Sequence, residues 1–94
     1  MNKFTSTEMK MDFGMALNAL RRGEKVARHG WNGKGMFLFL REGRMITGVD
    51  PSTPMGGDFE SLPHICMRTA DGKCCVGWLA SQTDMLSWDW EIAE

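Results

Sequence analysis

No stretch of this 94-residue chain approaches the roughly 20 consecutive apolar residues that a membrane-spanning helix needs. The first residues, MNKFTSTEMKMDF, hold neither an apolar core nor a small-residue cleavage site, so they do not read as a secretory signal. Nucleophile elbows and metalloenzyme signatures are missing as well. The three cysteines make no C-x-x-C grip, because Cys74 and Cys75 are adjacent and point to opposite faces of a strand. The two histidines, His29 and His64, have no serine, cysteine or aspartate beside them in a recognisable nucleophile pattern. Together these absences make catalysis the minority reading and leave no metal or cofactor to expect. Cysteines without an export signal point to a reducing cytoplasm.

Net charge is only −1, although charged residues make up an ordinary 24% of the chain, and its distribution is uneven. Arg21, Arg22, Lys25, Arg28, Lys34, Arg41 and Arg44 face only Glu24 and Glu42 between residues 21 and 44, whereas residues 45 to 94 are acidic. A locally basic segment in a slightly acidic chain fits a compact anionic ligand better than polymeric nucleic acid, and it fits ordinary solvated surface equally well.

Chain length allows one domain, since two would leave neither half enough apolar surface to fold. Residues 1–10 show no period and are expected to form a flexible extension, with the domain spanning 11–94. Phe13, Ala16, Leu17 and Leu20 share one helical face, with Asp12 as N-cap and Gly23 as the stop, so a helix is predicted over 13–22. KVAR, MFLFLR, Met45 to Val49, HICMRTA, KCCVGW and WDWEI read as strands, with Asp71-Gly72 as a two-residue turn in a hairpin. That register would set Arg68 opposite Cys75 and leave Cys66 and Cys75 on one face, as packing thiols. Trp88 and Trp90 would share a strand face in the core or at a subunit interface. All three prolines fall in the irregular stretch 50–63. Ser81 and Asp84 have the spacing of a capping box opening a short helix. The expected architecture is α+β: a small antiparallel sheet with one N-terminal amphipathic helix packed on it and a short C-terminal helix. Nine methionines and four tryptophans are many for this length and point to a homo-oligomer.

Two segments are candidates for binding. In GWNGKG, residues 30–35, glycines allow close approach of a ligand, Arg28 and Lys34 bring charge, Asn32 brings hydrogen bonds, and Trp31 offers a face to stack on. Its spacing matches neither nucleotide-binding glycine motif, and a hairpin loop with Trp31 plugging the core is an equal alternative. In WLASQTD, Trp78 precedes a helix start at which Ser81, Gln82, Thr83 and Asp84 offer donors and acceptors for ribose hydroxyls and base edges, or simply a cap.

The succession MDFGMALNALRRGEKVARHGWNGKGMFLFL, PHICMRTADGK, VGWLASQTDML and DWEI resembles the second Thoeris anti-defence family of small phage and prophage proteins, over residues 11–94. The resemblance implies a sponge: a protein that sequesters cyclic immune nucleotides, chiefly glycocyclic ADP-ribose isomers and in some members cyclic oligonucleotides, without cleaving them. It implies a homotetramer in the bacterial host cytoplasm with pockets between subunits. It also implies that Trp31 and Trp78 are pocket aromatics with Phe13 near them, while the polar groups of RHGWNGK and SQTD hold phosphates and riboses. A single-stranded nucleic-acid module and a nucleotide hydrolase are the alternatives from other classes.

Overall fold

A computed structural model describes residues 10–31 and 35–94. The expected extension therefore falls outside the described residues except for Lys10.

Helix α1 (Phe13–Arg21) starts where Asp12, in an extended conformation, accepts the Met15 N–H at 2.8 Å. It stops in a Schellman pattern: Gly23 N–H donates to the Leu20 carbonyl and Glu24 N–H to the Ala19 carbonyl, with Gly23 at φ +88°. The helix is followed by β1 (Val26–Arg28), β2 (Phe37–Arg41), β3 (Met45–Ile46), β4 (Phe59–Glu60), β5 (His64–Arg68), β6 (Cys74–Val76), α2 (Gln82–Leu86) and β7 (Trp90–Ile92). Five strands form one sheet in the order β6-β5-β2-β1-β7, every pairing antiparallel, and β3 and β4 form a separate pair. The α+β expectation thus describes the fold.

Register explains which face carries the helix. Val26 lies opposite Leu38 and Leu38 opposite Met67, so these apolar side chains line one face, where Ala16, Ala19 and Leu20 of α1 close over them. Trp90 completes this core and is fully buried. Alternation sends Phe37, Phe39, Arg41, Cys66 and Arg68 to the other, helix-free face. Residues 11 and 90 exchange backbone hydrogen bonds of 2.8 and 3.1 Å, which ties the entry of α1 to the outer edge of β7.

Four expectations need correction. The hairpin turn has three residues, not two: Arg68 pairs with Cys74, Thr69 N–H donates to the Lys73 carbonyl, and Gly72 N–H donates to the Thr69 carbonyl, with Gly72 at φ +86°. This is a type I turn closed by a left-handed glycine, and it shifts the register by one, so that Cys75 faces Met67 and Cys66 shares its face with Cys74. Second, only Cys66 is a packing thiol, because Cys74 and Cys75 are exposed. Third, Trp88 sits outside the strand and is exposed, whereas Trp90 is buried. Finally, the strand expected over residues 45–49 ends at Ile46 and pairs with β4 inside the proline-containing segment, forming an arm apart from the main sheet.

That arm is anchored at its base by local contacts. Ser61 N–H donates to the Arg44 carbonyl at 2.8 Å and the Ser61 hydroxyl accepts the Arg44 N–H at 3.1 Å. A side chain at Gly43 would run into the Ser61 carbonyl and Pro63, so the crossing needs glycine.

Candidate functional site

Trp90 organises the residues that the sequence singles out. Antiparallel pairing places it opposite Arg28, and three aromatics from distant parts of the chain pack on it. Trp31 meets it edge to face at 5.5 Å, Trp78 at 6.3 Å, and Phe13 is tilted at 5.5 Å. Trp31 and Trp78 also contact each other, at 6.4 Å and 66°. The expected trio of Phe13, Trp31 and Trp78 is therefore one cluster around Trp90, the tryptophans edge to face and Phe13 tilted, half-buried against the core.

The polar half of the cluster starts from α2. Ser81 and Asp84 form the full capping box, with the Ser81 hydroxyl accepting Asp84 N–H at 3.1 Å and the Asp84 carboxylate accepting Ser81 N–H at 3.0 Å. The other oxygen of that carboxylate takes the Arg28 Nη1–H at 2.9 Å, while Arg28 Nε–H reaches Asp89 at 3.0 Å. Trp90 Nε1–H donates to the Asp84 carbonyl at 2.9 Å and fastens α2 to the core.

Asp89 hydrogen-bonded to Arg28, then Asp84, raise the guanidinium pKa above its ordinary value, against a smaller lowering by burial. Partial burial pushes the Asp84 carboxyl up, but the Ser81 hydrogen bonds and Arg28 outweigh it, and the net direction is down. Asp89 behaves alike: burial raises it, while Arg28 and the Gly30 N–H together hold it below the usual carboxylate range. Arg28 therefore spends its charge on two carboxylates, and this corner of the site suits hydroxyl and amine donors better than phosphate. Gln82 and Thr83 are exposed on the first turn of α2. Asn32 and Lys34 lie outside the described residues.

On the helix-free face, an open cavity of about 630 Å³ lies beside the glycine loop. Trp31, Met36, Phe37 and Ala27 wall it, with Arg28, His29, Glu91 and Glu94 at its polar rim. It takes Arg28 and Trp31 from the expected set but not Phe13, Trp78 or residues 81–84. Sequence reasoning missed Asp89, Phe37 and Glu91, and took in His29 only as one of the polar groups of RHGWNGK. Phe37 was legible in principle, since alternation along FLFL sends it away from the core. The 61-residue separation of Arg28 from Asp89 left no local signal. Glu91 accepts from Lys10 at 3.1 Å and lies 3.5 Å from His29 Nδ1. Among the described residues, no three His, Cys, Asp or Glu side chains converge to hold a metal.

What these residues define is a small α+β domain with an aromatic-walled cavity next to a guanidinium–carboxylate cluster. The chain belongs to the Thoeris anti-defense 2-like family, whose model matches residues 11–93. It is similar to the Thoeris anti-defense 2 protein of Bacillus phage SP01, with 41% identity over 90 residues that cover 88% of this chain and 94% of that protein.

Proposed function

We propose that this chain counters Thoeris immunity as a stoichiometric sponge for cyclic ADP-ribose-type signals, holding the nucleotide against the Trp31 wall without cleaving it. Family membership supports the anti-Thoeris part. The observation that carries the ligand part is Trp31 itself, which belongs both to the aromatic cluster around Trp90 and to the cavity of about 630 Å³, at the start of the glycine loop. That volume lies in the range of small-ligand sites, roughly 300–1,000 Å³, and apolar walls with a few polar rim groups are their usual lining. A base stacks on Trp31, riboses meet the carboxylates near Arg28, and the loop backbone approaches the phosphates.

The acting form is a homotetramer in the host cytoplasm with ligand held between subunits. Exposed apolar side chains around α2 support association, namely Leu79 at 91%, Leu86 at 70% and Trp88 at 69% exposure. Cyclic di- and trinucleotides are further candidate ligands of the same protein. Titration calorimetry with a glycocyclic ADP-ribose on a sample of known mass by light scattering tests both parts: saturable binding by a species of about four chains supports them, and a monomer with no heat of binding contradicts them.

One feature supports a single-stranded nucleic-acid module instead. On the helix-free face, Phe37 and Phe39 lie 6.0 Å apart, with Lys25 Nζ 4.8 Å from the Phe37 ring and Arg68 opposite Phe37. Oligonucleotide binding with a steep salt dependence favours that reading, and its absence favours the sponge.

A further inference from the structure

The backbone entering the glycine loop is held by one residue from the other end of the chain. His29 N–H donates to the Asp89 carbonyl at 2.8 Å, and Gly30 N–H donates to Asp89 Oδ2 at 3.3 Å. The other carboxylate oxygen, Oδ1, takes Arg28 Nε–H at 3.0 Å, and the Arg28 carbonyl accepts Trp31 N–H at 3.2 Å. Every backbone N–H from His29 to Trp31 is thus satisfied by Asp89 or by Arg28, whose own side chain Asp89 holds. Gly30 lies so near that a Cβ there would sit 3.4 Å from the Asp89 carboxylate. Through its second nitrogen, Arg28 carries the connection on to Asp84 and the first turn of α2.

We infer that Asp89 is a positioning residue that fixes Trp31 and the loop entry in the ligand-ready conformation and couples them, through Arg28, to α2. This rests on the sponge reading only for its consequence in binding; the clamp itself is a property of the free protein. Both carboxylate oxygens act as acceptors, which an asparagine cannot reproduce, because its amide end would set a donor against either Arg28 Nε–H or Gly30 N–H. A lysine at position 28 keeps the charge but lacks the planar fork that spans two carboxylates. Where a loop is competent only part of the time, apparent affinity falls by the competent fraction.

The test uses Asp89→Asn in the full chain, read by amide hydrogen exchange and by calorimetry with a glycocyclic ADP-ribose. Exchange at Gly30 is expected to accelerate by at least ~10-fold while Val26 and Leu38 in the sheet keep their protection. Affinity for the glycocyclic ADP-ribose is expected to fall about tenfold, the loss for a loop competent one-tenth of the time. Arg28→Lys, which leaves the Gly30 contact in place, is expected to loosen α2 amides more than Gly30. Unchanged exchange at Gly30 in Asp89→Asn, or acceleration spread evenly over the sheet, overturns the clamp. If Asp89→Asn fails to fold, Arg28→Lys decides: selective loosening of α2 supports the coupling, and unaltered exchange there refutes it. Should the wild-type chain bind no glycocyclic ADP-ribose, the sponge reading fails, while the exchange data still judge the clamp.

Discussion

The half of the molecule around Trp90 and the arm of residues 44–63 contrast in how they are held. Around Trp90, Met11, Phe13, Trp31, Trp78 and Asp84 converge from most of the chain's length, and each also touches another member of the group or the core. In the arm, β3 and β4 meet each other and no other described helix or strand. Its bonds are local: Asp50 accepts Ser52 N–H at 2.9 Å, and Asp58 accepts Val49 N–H at 3.1 Å. A two-stranded ribbon of that kind is marginal on its own. The lesson is that structure and candidate site are a single object on one side of this protein, while the arm is built so that it can vary without disturbing either.

The largest effect is expected from Trp90→Ala. Deleting a fully buried tryptophan costs about 3–5 kcal/mol, a large share of the stability of a small domain. We expect a chain largely unfolded by circular dichroism at modest urea; a loss below 1 kcal/mol would mean that Trp90 is not the centre of the core. Next come Trp31→Ala and Trp78→Ala. Each is expected to weaken glycocyclic ADP-ribose binding by roughly 1–3 kcal/mol, the usual worth of a stacking platform. Each should also lose a smaller amount of stability, about 0.5–1.5 kcal/mol for the aromatic pairing with Trp90. Wild-type affinity in both folded variants would make the rings core and nothing more.

Acid sharpens the comparison on the polar side. The Asp84 and Asp89 carboxyls are depressed in the folded chain, so their contribution is complete above the ordinary carboxylate pKa of about 4 and is lost as pH falls below that. Arg28 is raised, so its contribution is full at neutral pH and would decline only in strong alkali. Thermal melting should therefore be insensitive to this cluster from about pH 5 to 9 and fall off below about 4. In Arg28→Gln, that part of the acid decline should shrink; an identical acid limb in both proteins would place its origin elsewhere. The smallest effect is expected in the arm. Replacing residues 47–58 with two glycines should shift stability by no more than about 1 kcal/mol, because the ribbon supports nothing else. A shift above 2 kcal/mol in urea titrations would show that the arm is part of the folding unit.

How much of this was legible in the sequence follows the same divide. Asp12, the apolar positions of α1 and Gly23 sit within one short window, and helix physics reads such windows directly. The capping box of Ser81 and Asp84 was legible for the same reason. The hairpin failed by one residue, since Asp-Gly is compatible with both a two-residue turn and the last two places of a three-residue one; the choice is made by local bonds between Thr69 and Lys73, including those of the Thr69 hydroxyl, which the Asp-Gly signal alone does not reveal. Trp88 and Trp90 read as equals at a spacing of two, but the strand starts only after Trp88, so one is exposed and the other buried. The clamp from Asp89 to Arg28 and Gly30 spans the chain, and no pattern of neighbours encodes it. For the candidate site, the aromatics were legible as residue types and Phe37 by alternation, while the meeting of Met36 and Glu91 at one cavity depends on sheet order.

The most direct test of the central claim distinguishes holding a signal from destroying it. Sequestration needs only tight binding, in the nanomolar range or about −12 kcal/mol, so no covalent bond of the ligand changes. A hydrolase would need a positioned base and stabilisation of developing charge. The measurement is to mix the protein with a glycocyclic ADP-ribose in stoichiometric amounts, assay the signal's activity on its receptor, heat until the protein denatures, and assay again beside mass spectrometry of the released molecule. Loss of activity on mixing and full recovery of the unaltered cyclic nucleotide after heating are expected of a sponge. Linear ADP-ribose that accumulates with incubation time would contradict it.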